Sequence, residues 1–376
     1  MKLQVLQENL NKALSYASRF ASPKAQLPVL GNILFSAKKT KLLISATNLE
    51  ISISVALGAQ VKDEGELTIP ARTIVDIVSN LPSSTVRLET EKENLEISCP
   101  GFSSRIAGMN ASDFPSVPST TGKDAGIVLP KEIFLESLSQ VSFSASSDET
   151  RPIITGVLFI FEKGSLHMVA TDGFRLSQKK IKIDEAVKTK KLVLPKAALL
   201  ELPRVAEDQD DLLFCFKEKE NQILFEAGNI ILSSRILEGD FPPYDKIIPK
   251  DTSIKIRVDK EELLRAVKLA AVFARDSANV VKIVVGKDYL QLLAESSNAG
   301  SQKTKIEANV DPSFAKATED EPFEIAFNYR FLEDFLKVVK GEEINMGFSN
   351  ANSPGVFTDP KDPDYLHLIM PVKIQG

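Results

Sequence analysis

Histidine is almost missing from this chain: only His167 and His367 occur among 376 residues. A catalytic triad built on imidazole, or a zinc site of the usual His/Cys kind, has almost no material to draw on. Cysteine is equally scarce. Cys99, in "ISCPGF", and Cys215, in "LLFCFK", stand in apolar, strand-like settings without C-x-x-C spacing and read as buried structural thiols. Neither G-x-x-x-x-G-K-[ST] nor G-x-G-x-x-G is present, which removes the common phosphate-cradling loops. No apolar run approaches the roughly 18 residues of a membrane span, and the N-terminal "MKLQVLQENLNKALSYASRF" has helical periodicity where a signal peptide would have an apolar block. The expectation is a soluble, cytoplasmic globular protein with no metal, no cofactor and no membrane partner. A net charge of −5 speaks against a surface that coats nucleic acid all round. It leaves room for one basic face.

What the chain has in abundance is itself. "VLGNILFSAKKTKLLISATNLEISI", from Val29, aligns with "ITGVLFIFEKGSLHMVATDGFRLSQ", from Ile154, so that Ala46 falls on Ala170 at a shift of 124. The same shift reaches Ala294 in "LQLLAESSNAGSQ" and superposes Ile33, Val157 and Val281. A second marker agrees. "SRIAGMNASDFPSVP" (Ser104 to Pro118) is echoed by "SRILEGDFPPYDKIIP" (Ser234 to Pro249). A period of this length exceeds that of solenoid repeats and equals one domain, and 43% hydrophobic content can build several cores. The chain therefore reads as three tandem domains, 1–122, 123–250 and 251–376.

Each copy opens with an amphipathic helix, expected over 8–21, 131–146 and 260–276. In the first, Leu10, Ala13, Leu14, Ala17 and Phe20 make the apolar stripe. A second helix is expected over 70–82, 195–206 and 328–339, with proline in the first turn of the first two. The intervening runs, such as "KLLISATNLEISISVAL", alternate and are β-branched. Each domain is then α+β, two helices packed on antiparallel sheet.

Charge is segregated along this plan. No acid occurs from Asn9 to Leu49, a stretch that holds Lys12, Arg19, Lys24, Lys38, Lys39 and Lys41. Lys12, Ser15 and Arg19 share the helix face opposite the apolar stripe, with Lys24 just beyond. Arg265, Lys268 and Arg275 repeat the arrangement in the third copy, where Arg330, Lys337 and Lys340 follow on the second helix. Acids collect in turns: "KDEGE" (62 to 66), "ETEKENLE" (89 to 96), "EDQDD" (207 to 211) and "TEDEP" (318 to 322). Charge on an outer helix face is commonly only solvation. Basic helix faces combined with acidic turns would let one surface meet a polyanion while the rest repels it.

The stretch "ATDGFRLS", Ala170 to Ser177, puts an acid, a glycine, an aromatic and an arginine into one turn. Asp172-Gly173 is a two-residue hairpin signal, since glycine accepts positive φ. No histidine, metal cluster or nucleophile motif accompanies the acid and the arginine, so no catalytic residue is assigned.

"LPVLGNILF" (27 to 35), "ATDGFRLS", "EGDFPPYDKIIP" (238 to 249), "FEIAFNYRFLEDFL" (323 to 336) and the terminal "HLIMPVKI" (367 to 374) resemble the bacterial sliding clamp family, the β subunit of DNA polymerase III. The similarity runs end to end and includes the threefold repeat. It implies three DNA-clamp domains per chain and a ring-shaped, head-to-tail homodimer whose helices line a hole around duplex DNA, held without sequence readout. Lys24, Arg72, Arg204 and Lys268 would join Lys12, Arg19 and Arg265 on that lining. Domain one of one subunit would meet domain three of the other, with Ile106, Val272 and Phe273 as apolar interface contacts; Phe273 is equally readable as domain core. The resemblance further implies a cleft where the replicative polymerase catalytic subunit and other clamp-binding-motif proteins dock a short apolar peptide and compete. Its wall would comprise Thr171, Gly173, Phe174, Arg175 and Leu176 with Arg151, Ile154, Pro242, Lys246 and Ile247, then Val280, Asn328 and Phe331. The floor would be Leu368, Ile369, Met370, Pro371, Val372 and Lys373. Phe174 stands where the family often has histidine, and Lys246 and Lys373 where arginine is frequent, which bears on peptide preference. An ATP-dependent clamp loader is implied as a partner, ATP use belonging to it, and a nucleoid-associated place in the cytoplasm. Two other readings stand beside this one: a scaffold of repeated domains without nucleic acid, and a hydrolase using acids such as Asp172.

Overall fold

The computed structural model describes residues 1–122, 126–183, 189–207, 209, 211–311 and 322–373. Asp208, Asp210, the acids of "TEDEP" before Pro322 and the expected boundary at 123 lie outside the described residues.

The element order repeats three times. The first round is β1 (Lys2–Leu6), α1 (Gln7–Ala17), β2 (Asn32–Lys38), β3 (Lys41–Thr47), β4 (Ile51–Gly58), β5 (Gln60–Asp63), β6 (Gly65–Pro70), α2 (Ala71–Ser79), β7 (Thr85–Glu91), β8 (Asn94–Cys99) and β9 (Phe102–Ala107). The second is β10 (Ile127–Leu129), α3 (Lys131–Ser142), β11 (Gly156–Glu162), β12 (Ser165–Thr171), β13 (Arg175–Lys182), β14 (Lys190–Pro195), α4 (Lys196–Leu199), α5 (Leu202–Val205), β15 (Leu212–Lys217), β16 (Gln222–Ala227) and β17 (Ile230–Arg235). The third is β18 (Ile254–Asp259), α6 (Lys260–Ala274), β19 (Val280–Val285), β20 (Tyr289–Ser296), β21 (Gly300–Glu307), β22 (Asn309–Val310), β23 (Phe323–Asn328), α7 (Tyr329–Val338), β24 (Glu343–Phe348), β25 (Gly355–Asp359) and β26 (Asp362–Ile369).

Local chemistry accounts for the helix ends. Asp259 accepts from the N–H of Glu262 at 2.8 Å to open α6, with Glu261 and Glu262 in its first turn. Asn328 opens α7 by accepting from Arg330 N–H at 3.0 Å. The helix expected over 195–206 is instead two four-residue pieces, α4 and α5. Pro203 explains the break, because it has no N–H for the carbonyl of Leu199 and its ring crowds that turn. The first helix also stops at Ala17, four residues short of its expected end. Leu10, Ala13, Leu14, Ala17 and Phe20 are all buried, as the stripe requires.

The chain divides into two compact units, Met1–Lys131 with Ala197–Ile236, and Glu132–Lys196 with Leu237–Gly376. The middle copy thus contributes to both. The first unit holds a five-stranded sheet, β5-β1-β7-β8-β9, and an eight-stranded sheet, β10-β15-β16-β17-β4-β3-β2-β6. Here α1 packs on α2, β3 and β4. The second unit holds a nine-stranded sheet, β14-β11-β12-β13-β26-β25-β24-β18-β22, and a four-stranded sheet, β21-β20-β19-β23. There α6 packs on α7 and on β18 to β21.

Among the described residues the strand pairings are antiparallel, and the two large sheets are joined across copies in the same way. In the first, β4 pairs with β17, Ile51 opposite Ser234. In the second, β13 pairs with β26, Arg175 opposite Ile369. Ile51 and Arg175 are 124 residues apart, so the junctions are counterparts. The large core of the second unit runs from Ile254 to Ile369 and includes Phe327, Phe335, Phe348, Phe357 and Tyr365.

Candidate functional site

The turn between β12 and β13 is built by side chains that replace backbone partners. Thr171 Oγ1 donates to the carbonyl of Arg175 at 2.7 Å and accepts from Gly173 N–H at 3.1 Å. Asp172 Oδ1 accepts from the N–H groups of Phe174 and Arg175 at 2.9 and 3.0 Å. Asp172 N–H reaches the Arg175 carbonyl at 3.4 Å, so the two loop residues are Gly173 and Phe174, one place further on than the Asp172-Gly173 hairpin expected. Gly173 sits at φ +92°, where a side chain would be strained. The turn tip is left projecting, and Phe174 is 62% exposed.

Beneath the tip lies Arg175, whose side chain is only 11% exposed. Its Nε donates to Asp172 Oδ2 at 3.0 Å, Nη1 to Asp334 Oδ2 at 2.7 Å and Nη2 to the Phe143 carbonyl at 3.0 Å. The rings of Phe331 and Phe143 pack against the guanidinium, at 4.5 and 5.3 Å from ring centroid to Cζ. Arg151 donates from Nη2 to the Asp172 carbonyl at 3.3 Å and from Nε to Asp148 at 3.3 Å.

The C-terminal strand closes the other side. Leu176 pairs with Leu368, both buried. Met370 N–H donates to the Phe174 carbonyl at 2.8 Å and Val372 N–H to the Ala326 carbonyl at 2.8 Å, which places Met370, Pro371 and Val372 partly exposed beside the turn, with Lys373 exposed after them. Leu176 and Leu368 share one apolar cluster with Leu158, Ile160, Val169, Val193 and Tyr244. Tyr244 opens the short helical turn that carries Lys246 and Ile247, both exposed, and its N–H donates to the Pro242 carbonyl at 2.7 Å. Ile154, buried, lies in the turn that precedes β11. Val280 pairs with Asn328, the cap of α7, and Phe331 follows on that helix. The expected wall and floor are thus tied together within one unit. Sequence reasoning missed Asp334 and Phe143; the only signal for Asp334 was its i, i+3 spacing from Phe331.

The basic residues expected to face DNA are all exposed: Lys12 and Arg19 in and just after α1, Lys24 beyond it, Arg72 on α2, Arg204 on α5, Arg265 and Lys268 on α6. Arg19 is nonetheless engaged, its Nε and Nη2 both 2.6 Å from the Glu201 carboxylate. Of the expected interface residues, Val272 is 54% exposed while Phe273 is partly buried against the core of its unit. Ile106 is only 6% exposed, opposite Leu95 on β8, while Phe102, on the same face at the start of β9, is 37% exposed.

His367 is fully buried, its Nδ1 2.7 Å from Ser177 Oγ, and Ser177 meets Ser144 at 2.8 Å. Burial first, and the charge of Arg175 second, push its pKa down to about 3. Among the described residues no group of three or more His, Cys, Asp or Glu is arranged to hold a metal, and no helix is long and apolar enough to cross a membrane.

Family models cover nearly the whole chain: DNA polymerase III beta subunit, N-terminal domain, matches residues 1–118; the central domain of that subunit matches 128–243; the C-terminal domain matches 245–373. A beta sliding clamp from Staphylococcus aureus (strain Mu50 / ATCC 700699) is 29% identical over 362 residues, 94% of each chain. One from Staphylococcus epidermidis is 28% identical over 383 residues, 99% of each. The crystal structure of the DNA polymerase sliding clamp from Bacillus subtilis matches with a TM-score of 0.92 at 27% identity, and that of the C. crescentus beta sliding clamp, with PEG bound to a putative beta-motif tethering region, with 0.91 at 29%; both cover 100% of each chain. The chain belongs to the bacterial sliding clamp family, the DNA polymerase III beta subunits, and is a processivity factor without a catalytic site of its own.

Proposed function

We propose that two copies of this chain close head to tail into a ring around duplex DNA, that the copies 1–122, 123–250 and 251–376 are its units, and that the ring tethers the replicative polymerase and competing clients through the cleft beside Phe174 and Met370. One observation carries the reading. β4 is covered by β17, and its counterpart β13 by β26, whereas the third counterpart, β21, lies at the edge of its sheet. β17 and β26 each end their round of elements, and their counterpart β9 is likewise an edge. The two open edges are the two halves of a third junction. Joining β21 of one molecule to β9 of another, twice, forms a closed assembly about a dyad and removes both edges. Val272 and Phe102 are exposed on elements near those edges.

Basic side chains on α1, α2, α5 and α6 support a lining that meets phosphate without reading bases. A closed ring cannot thread unbroken circular DNA alone, so an ATP-dependent clamp loader is part of the proposal, as is a cytoplasmic, nucleoid-associated location. The test is retention. Protein loaded on nicked circular DNA is expected to persist at salt that abolishes ordinary phosphate contacts and to leave within seconds once the circle is cut. Equal loss from circular and linear DNA would falsify encirclement.

A further inference from the structure

We infer that Asp334, on α7, is a positioning residue for the peptide cleft: through Arg175 it locks the Thr171–Arg175 turn and, behind it, the Met370 floor, while Arg175 acts as an internal tie and makes no bond to the peptide. The inference rests on the cleft reading given above and deepens it.

Arg175 is heavily occupied within the protein. Each of its three nitrogens donates to a different acceptor, Asp172, Asp334 and the Phe143 carbonyl, and two aromatic rings pack against the guanidinium. A guanidinium recognises a carboxylate by presenting two parallel N–H groups; here three of its five N–H groups are engaged inside the protein and the side chain is only 11% exposed. Its acceptors come from three elements: the turn itself, the end of α3, and α7. Phe331 and Asp334 lie three residues apart on α7, so one helix face delivers both the ring and the carboxylate to the arginine.

The consequence passes outward along the turn. Asp172 binds Arg175 through Oδ2 and organises the N–H groups of Phe174 and Arg175 through Oδ1. The Phe174 carbonyl then holds Met370 N–H. Asp334, with no place in the wall, therefore reaches the floor through four linked groups. Lys196 stands by the same cluster, its pKa lowered by burial and then by Arg175 and raised in part by Asp334 and Asp172, so two cations face two carboxylates and the group is balanced. The counterpart of Arg175 in the first junction is Ile51, which can form no such tie.

The test uses the full-length protein, Asp334→Asn, Arg175→Gln and the double variant, with two fluorescent leucine- and phenylalanine-rich peptides that differ only in carrying aspartate or asparagine at one position. Asp334→Asn is expected to weaken both peptides by the same factor, about fivefold, as for coupled neighbours in one network. In the Arg175→Gln background it is expected to add nothing, an absence of additivity that general damage would not produce. Loss confined to the acidic peptide in Arg175→Gln would show a direct contact and overturn the inference, as would wild-type affinity in Asp334→Asn. Amide exchange at Met370 in the free protein separates this idea from the cleft reading. Asp334→Asn should speed it about fivefold. Wild-type protein that binds neither peptide overturns the cleft; unchanged Met370 exchange overturns the tie. Should Arg175→Gln fail to fold, Asp334→Asn decides alone on affinity and exchange.

Discussion

The turns after β3 and β12 match hydrogen bond for hydrogen bond, yet only one bears the features of a binding site. In the first, Thr47 Oγ1 donates to the Ile51 carbonyl at 3.0 Å and accepts from Leu49 N–H at 3.0 Å, and Asn48 Oδ1 accepts from Glu50 and Ile51 at 3.0 and 2.9 Å. Even the link to the neighbouring copy is kept: Arg235 N–H donates to the Glu50 carbonyl at 2.9 Å, as Met370 N–H does to that of Phe174. Four substitutions separate them. Asn48 becomes Asp172, Leu49 becomes Gly173, Glu50 becomes Phe174 and Ile51 becomes Arg175. The scaffold belongs to the repeat, and the distinct chemistry lies in side chains that the scaffold tolerates.

Removing the shared acceptor is the strongest way to break that equivalence. Asp172→Ala takes away the side-chain acceptor of two backbone N–H groups and one of the carboxylates paired with the largely buried Arg175, which is expected to cost about 2–4 kcal/mol. Asn48→Ala removes the equivalent acceptor of two backbone N–H groups beside an apolar Ile51 and is expected to cost about 1 kcal/mol. Native-state exchange at the strand amides flanking each turn reads the two local costs separately. Equal losses would mean that Arg175 draws no support from Asp172.

The shared scaffold was legible in the sequence because it rests on local signals: the 124-residue register, alternation in the strands and the apolar stripe of α1. The differences were not, because they depend on partners distant along the chain. Arg175 and Asp334 are 159 residues apart, and Arg19 and Glu201 are 182. Charge pattern put Arg19 on a basic helix face, and the resemblance put Arg175 in the wall of a cleft. Burial separates them: Arg175 is enclosed, while the side chain of Arg19 is 47% exposed and bound to one carboxylate. Ile106 was placed at an interface by the resemblance alone; within the single chain it is 6% exposed and packs opposite Leu95. The α4–α5 break was readable from Pro203, whose position inside the helix outweighs the apolar pattern around it.

Acid should distinguish the two junctions. Both histidines lie on the nine-stranded sheet, His167 on β12 and His367 on β26, and the β4–β17 junction has none. The pKa of His367 falls from 6.5 to about 3 on folding. Above pH 6.5 the folded and unfolded chains bind equal protons at this site. Below it the unfolded chain takes up a proton that the folded one refuses, so stability falls as pH drops from 6.5 toward 3, by about 1.4 kcal/mol per unit at most. His167, lowered chiefly by burial, acts in the same direction. His367→Asn keeps an acceptor toward Ser177 without titrating and should flatten the profile measured at β26 amides. An unaltered slope would assign the acid sensitivity elsewhere.

The smallest effect concerns the glycine. Leu49 adopts φ +79° in the first turn, so the scaffold accepts a side chain at that position despite the left-handed backbone. A Cβ at Gly173 would meet nothing nearer than Arg151 Nη1 at 3.5 Å, an ordinary contact. Gly173→Leu should therefore fold, at a backbone cost of about 1–2 kcal/mol, and should lose peptide binding because the new side chain stands in the wall of the cleft. A variant that keeps wild-type affinity would remove Gly173 from the wall. A loss of stability well beyond that cost would show that the two turns, for all their matching hydrogen bonds, differ in the room they leave around the third residue.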